Sequence, residues 1–208
     1  MRSIQQAGQF FAGMLMLLTI SACSSSGSSD NVQTSLDERE SLNREKNEEG
    51  YDREPLVSEA ADYLGVGAEA VGGVIEKIFK KEGQPIAYIK AEEAGGGLVV
   101  GLRYGGGTMY HKIEGESPVH WTGPSIGFDA GGEVAKVFAM VYNLHDVEEL
   151  YKRFGAVEGQ LYYIGGMGIS FIKKKDIVIA IIRVGVGLRA QASLGYYKFG
   201  RKRTFNPF

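Results

Sequence analysis

Position 23 holds the only cysteine of the chain, and its setting is specific. Leu18-Thr19-Ile20-Ser21-Ala22-Cys23 puts an apolar residue three before the cysteine and small residues at the two positions between. That is the pattern of a bacterial lipobox. The thiol accepts a diacylglyceryl group, and cleavage between Ala22 and Cys23 frees an amine that can take a further acyl chain. A lone cysteine in an oxidising compartment has no partner for a disulfide framework, and lipidation accounts for it. Several acyl chains on one residue suffice for stable anchoring where one is marginal.

Other reactive residue types sit in less complete settings. Gly123-Pro124-Ser125-Ile126-Gly127 matches G-x-S-x-G, and Asp129 and His145 follow in the chain order of a hydrolase triad. A nucleophile elbow needs a strand, a sharp turn and a helix within a parallel sheet. Here Phe128-Asp129-Ala130-Gly131 continues as strand or turn, so the motif reads as a tight turn between strands, with a Ser125 hydrolase as a remote alternative. His111, His120 and His145 lack the i, i+4 or C-x-x-C spacing of a zinc site, and no metal is expected. Gly165-Gly166-Met167-Gly168 has no helix behind it to cradle a phosphate, and no cofactor is expected. Trp121, Arg103, Arg183 and Arg189 are the residues to test first for ligand binding; the competing reading makes the arginines solvated and Trp121 core.

The elements around these residues divide the chain into three. Arg2 and the α-amino group precede an apolar run from Phe10 to Ile20 that is too short to span a bilayer, so residues 1–22 read as a lipoprotein signal peptide. Residues 23–55 read as a flexible acidic tether, opening with Ser24-Ser25-Ser26-Gly27-Ser28-Ser29. Asp30 to Glu54 holds nine acidic and four basic residues, 4 − 9 = −5, with almost nothing apolar to offset its ordering entropy. Ser24 after the cysteine fits sorting to the outer membrane. Residues 56–208 form the folded domain. The formal net charge of −2 gives no electrostatic case for nucleic acid.

Within that domain, Val57, Ala60, Ala61, Leu64, Ala68, Val71, Ile75, Ile78 and Phe79 recur at helical spacing, and Lys80-Lys81 then Gly83 supply end signals. The pattern predicts one amphipathic helix, weakened by Gly65, Gly67, Gly72 and Gly73. Beyond Pro85 the periodicity predicts eight strands: 86–91, 97–104, 108–113, 125–131, 135–142, 160–172, 177–189 and 191–199. Gly105-Gly106-Gly107 reads as a turn, and a short helix is expected over 146–154. The fold class is mainly β: a small soluble eight-stranded antiparallel β-barrel with an N-terminal helix and one short inserted helix. Arg201-Lys202-Arg203 and Pro207 are incompatible with a lipid-facing terminal strand and read as a solvated tail.

Alternation suggests which faces are buried. Leu98, Val100, Leu102 and Tyr104 oppose Gly97, Gly101 and Arg103. Val178, Ile182, Val184, Val186 and Leu188 oppose Arg183, Gly185, Gly187 and Arg189. Leu161, Tyr163, Met167, Ile169 and Phe171 oppose Gly166, Gly168 and Ser170. Taken as the inner face, the bulky rows fill the barrel, and the glycine-rich face lets strands coil or seats the helix.

Gly101-Leu102-Arg103-Tyr104, His120 through Asp129, Tyr142-Asn143-Leu144, Leu150-Tyr151-Lys152-Arg153-Phe154-Gly155, Gly165-Gly166-Met167-Gly168, Gly185-Val186-Gly187-Leu188-Arg189 and Asn206-Pro207-Phe208 together resemble the envelope integrity protein A family over about Leu64 to Phe208. A fainter similarity is to lipid-binding SYLF domains. The family resemblance implies a periplasmic eight-stranded barrel with a helix, tied to envelope integrity, and no catalytic residues to carry over. The lipobox and long tether depart from the common pattern. The resulting expectation is a non-enzymatic protein anchored to a membrane through Cys23, in the periplasm at the inner leaflet of the outer membrane. Envelope glycolipid, peptidoglycan or another envelope protein would be its partner; the alternative is a lipid-binding or lipid-carrying module.

Overall fold

The computed structural model describes residues 50–97, 100–126, 129–185, 196–204 and 206. Two helices, α1 (Arg53–Leu64) and α2 (Ala68–Glu82), precede eight strands. These are β1 (Ala87–Gly97), β2 (Val100–His111), β3 (Gly115–Ile126), β4 (Asp129–Tyr142), β5 (Arg153–Ile164), β6 (Met167–Lys174), β7 (Ile177–Gly185) and β8 (Tyr196–Gly200). All pairings are antiparallel, and the order β1-β2-β3-β8-β5-β6-β7-β4 closes through β4 on β1. Closure removes the unpaired edges that an open sheet would expose.

The expected single helix is two. Gly65 sits at φ 71 in the left-handed region, its N–H closing on the Ala61 carbonyl, and the chain restarts as a helix from Gly67. Only glycine takes that conformation cheaply. The helix α1 also takes in Arg53 and Glu54, which the sequence assigned to the tether. Strand limits move as well. Gly105-Gly106-Gly107 is no turn but the middle of β2, paired across to Trp121, His120 and Val119. The expected strand over 160–172 is instead a hairpin, folded at Gly165 (φ 58) and Gly166 (φ 81), the two positive-φ residues of a tight two-residue turn. The inserted helix is a single 3-10 turn, Val147–Glu149, capped by the Asp146 side chain, while Phe154 joins β5 opposite Tyr197.

The buried residues form two apolar layers. One lines the barrel interior: Ile89 and Ala91 on β1, Met109 on β2, Trp121 on β3, Val137 and Ala139 on β4, Ile179 and Ile181 on β7, and Tyr197 and Phe199 on β8. Leu144, Val147 and Leu150 plug one end of it. The other lies outside, where Leu56, Ala60 and Leu64 of α1 and Val71, Ile75 and Ile78 of α2 cover Phe138, Met140, Met167, Ile169, Phe171, Ala180 and Ile182. The bulky rows of β6 and β7 therefore face the helices, and the inner-face assignment made from alternation is reversed. Strands β4 and β7 carry apolar residues on both sides because both sides are covered. The helices sit on large side chains, not on a glycine seat.

Candidate functional site

With the faces reversed, the residues opposite the bulky rows point into the lumen. Glu93, on the same face of β1 as Ile89 and Ala91, is 5% exposed; Arg103 of β2 and Arg183 of β7 are 3% and 5% exposed. Arg183 Nε donates to Glu93 Oε1 at 2.9 Å, and Arg103 Nε lies 3.2 Å from the same oxygen. The other carboxylate oxygen, Oε2, accepts the Trp121 indole N–H at 2.7 Å. Arg183 Nη1 reaches Ser170 Oγ at 2.6 Å, while Arg183 Nη2 and Arg103 Nη1 donate to Tyr197 Oη at 2.8 and 2.5 Å. Both guanidiniums also stand 5.9 Å from the Tyr197 ring centre, within cation–π range.

The electrostatics follow from this geometry. Burial by itself would push the Glu93 carboxyl up, but the charges of Arg183 and Arg103 and the hydrogen bonds from Arg183 and Trp121 overcome it and hold the group below its ordinary value. Burial likewise penalises the Arg183 cation, and the Glu93 carboxylate more than offsets that, so Arg183 stays charged. Through Glu93 and its two arginines the cluster joins side chains from β1, β2, β3, β6, β7 and β8 across the lumen. Ions taken out of water in this way persist only when hydrogen-bonded on most sides, as these are. The space the indole needs comes from glycine: a Cβ on Gly105 would stand 2.1 Å from Trp121 Cε2.

The cluster lies below a recess of about 350 Å³ at the barrel end opposite the plug, lined by Glu93, Gly105, Trp121, Tyr104, His120 and the tail residue Arg203, among others. The ionised groups bond to one another, and the indole N–H is already spent on Glu93.

Of the sequence candidates, Trp121, Arg103 and Arg183 come together here. The arginines are buried rather than solvated, and Trp121 is core. Arg189, Ala22 and Cys23 lie outside the described residues. Glu93, Ser170 and Tyr197 were missed as members. The available signal was a lone acid at Glu93 placed on the same alternating face as Ala91 and Ile89.

The Ser125 motif does not form an elbow or the expected turn. Residues 123–126 are the end of β3, with Ser125 opposite Gly101 and Pro124 opposite Leu102. Among the described residues β8 pairs β3 over His120–Thr122, a stretch that contains neither Pro118 nor Pro124. Strand geometry at Ser125 supplies neither the sharp turn nor the following helix of a nucleophile elbow. His111 is buried: its Nδ1 accepts from the Ile113 and Glu114 amides at 3.3 and 3.1 Å, which leaves Nε2–H to donate to the Leu144 carbonyl at 2.9 Å. Among the described residues no three His, Asp or Glu side chains gather as metal ligands would.

Fold and cluster together define a class: a closed eight-stranded antiparallel barrel, tied across its lumen by a buried ion cluster and covered on one flank by two helices. Comparison with known families then places it. The chain belongs to the envelope integrity protein A family, which matches residues 49–208. It is similar to the crystal structure of a β-barrel-like, uncharacterised protein from Brucella abortus, with 38% identity, coverage of 76% of this chain and 99% of that one, and a TM-score of 0.67. A search of the curated proteins gives no match.

Proposed function

We propose that the chain is a non-enzymatic, lipid-anchored periplasmic protein that supports the integrity of the cell envelope. The observation that carries this reading is the mutual bonding of Glu93, Arg103, Arg183, Trp121 and Tyr197. The polar groups a lumen enzyme or carrier would turn toward substrate are committed to holding strands together. Work done by such a barrel falls to its outer surface and to its tether. Membership of a family named for envelope integrity supports the setting. Coverage of β4, β6 and β7 by helices occupies outer surface that a membrane-spanning barrel would present to acyl chains, which supports a barrel that does not span the bilayer.

The anchor rests on Leu18 through Cys23. Lipid on Cys23 and an acidic tether of residues 23–55 hold the domain near the membrane, at the inner leaflet of the outer membrane, while leaving it free to reach envelope glycolipid, peptidoglycan or another envelope protein. The test is mass spectrometry of the mature protein with fractionation of the cells. The mass should begin at Cys23 with added acyl chains, and Cys23→Ala should abolish both the acyl mass and cleavage at that site. An unmodified mature protein starting elsewhere removes the anchor. Envelope stress sensitivity of a deletion strain should be restored by the wild-type chain and by Ser125→Ala alike; failure of Ser125→Ala alone would revive catalysis.

A further inference from the structure

Between α2 and the β5–β6 hairpin runs an apolar groove of about 380 Å³, within the size range of small-molecule sites. Its floor is core: Val74 and Ile78 from α2, Ile169 and Phe171 from β6, all nearly inaccessible. Its outer wall is apolar and unusually open, with Tyr162 49% and Ile164 36% exposed. Exposed bulky residues continuous with a buried floor mark an interaction site rather than ordinary surface scatter.

The opposite rim is cationic. Lys77 and Lys81, four apart on α2, line the same groove. Lys81 Nζ lies 4.5 Å from the centre of the Phe171 ring and 3.2 Å from Glu82 Oε1. Lys77 forms no ion pair with another described residue. From Val74 to Lys81 the helix runs about 10 Å. An apolar trough of that length with ammonium groups along one edge matches an amphiphile that has a hydrocarbon chain and a negative head.

We propose that this groove seats an acyl chain of an anionic glycerophospholipid from the bilayer, its phosphate at Lys77 and Lys81. The proposal deepens the reading of a non-enzymatic envelope protein by naming a ligand on the outer surface; it does not depend on the anchor at Cys23. Ile164 and Tyr162 cover the chain, Phe171 and Ile169 bed it, and the two lysines select charge. The lumen takes no part.

The test is photo-crosslinking of the full mature protein to vesicles carrying phosphatidylglycerol with a diazirine on one acyl chain, followed by peptide mapping. Label should fall within residues 74–81 and 162–171. Moving the diazirine to phosphatidylcholine should cut labelling about fivefold, the loss of roughly one favourable cation–head-group contact. Lys77→Glu with Lys81→Glu should erase the difference between the two lipids. Ile164→Asp should lower labelling about tenfold or more, because a carboxylate replaces apolar wall. Ile164 is already partly exposed, and unchanged Trp121 fluorescence will show that the variant is folded. Label elsewhere, or equal label in Ile164→Asp, overturns the proposal. Crosslinked dimers through the same peptides also overturn it and assign the groove to a second copy. The mature mass reports separately on Cys23, so either idea can fail alone.

Discussion

Replacing Glu93 by glutamine keeps the side-chain shape and removes only the charge that Arg103 and Arg183 share. In the wild type one oxygen, Oε1, is 2.9 Å from Arg183 Nε and 3.2 Å from Arg103 Nε. Without the carboxylate, two guanidiniums that are 3% and 5% exposed stand together with no anion between them. Breaking a buried pair from one side costs about 3–5 kcal/mol, because the surviving charge is stranded. We expect about 3 kcal/mol here, since the amide oxygen still accepts one hydrogen bond. Against a total stability of ~5–15 kcal/mol this is a large fraction, and at ~2–4 °C per kcal/mol the melting temperature should fall by about 6–12 °C. Trp121 is the one tryptophan of the chain and touches the same carboxylate, so its fluorescence in a urea titration reads the change where it occurs.

The pH dependence checks the cause. The Glu93 carboxyl is held below its ordinary 4.5 in the fold. Its contribution is therefore fully present above about pH 4.5 and is lost as the pH falls through the lower folded value. The gap between wild type and Glu93→Gln should be constant near neutrality and should close in acid. Replacing all three of Glu93, Arg103 and Arg183 by methionine should recover more than half of the loss, because no buried charge remains. A Glu93→Gln protein within ~1 kcal/mol of wild type, with a gap indifferent to pH, would refute the reasoning.

Glycine substitutions should split by location. Gly105→Ala drives a methyl into the Trp121 indole, and Gly107→Ala would put one 2.0 Å from the Lys90 carbonyl oxygen, so both should lose about 2 kcal/mol or more by urea denaturation. In contrast, Gly73→Ala meets nothing within 4 Å inside α2 and should gain about 0.5–1 kcal/mol. His111→Ala strands the Leu144 carbonyl and frees the loop whose Glu114 side chain accepts from the Val147 amide; a loss of about 1–3 kcal/mol, with faster hydrogen exchange at Val147, should follow.

Local pattern was enough for some conclusions. The lipobox-like pattern ahead of Cys23, on which the proposed anchor rests, the acidic composition before the domain, the mainly β character and the helical periodicity from Leu56 onward are all properties of neighbouring residues. Closure into eight antiparallel strands and family membership followed from the whole run of motifs, even though several strand limits were misplaced. The misplacements share a cause. Sequence alone does not tell a turn glycine from a strand glycine: Gly105-Gly106-Gly107 reads as a turn and Gly165-Gly166 as strand interior, whereas Gly105 and Gly107 keep the middle of β2 extended and leave room for Trp121 and for the close approach of β1, while Gly165-Gly166 turns the chain. The difference lies in what packs opposite, and that is not local.

Tertiary structure alone decided which face is inside. Alternation separates Val178, Ala180 and Ile182 from Ile179, Ile181 and Arg183, but both rows are apolar enough to be buried. A period of two cannot rank two buried faces. The choice is made by α1 and α2, which cover the outer row and send Arg183 inward to meet Glu93, ninety residues away in the chain. The sequence by itself determined the strand-rich barrel, and it carries the proposed address at Cys23 and the acidic composition ahead of the domain, because composition and short-range spacing are local. Only closure of the barrel determined that Arg103, Arg183 and Trp121 are partners of one buried carboxylate, because their proximity is a product of strand order and of helices packed on the other side.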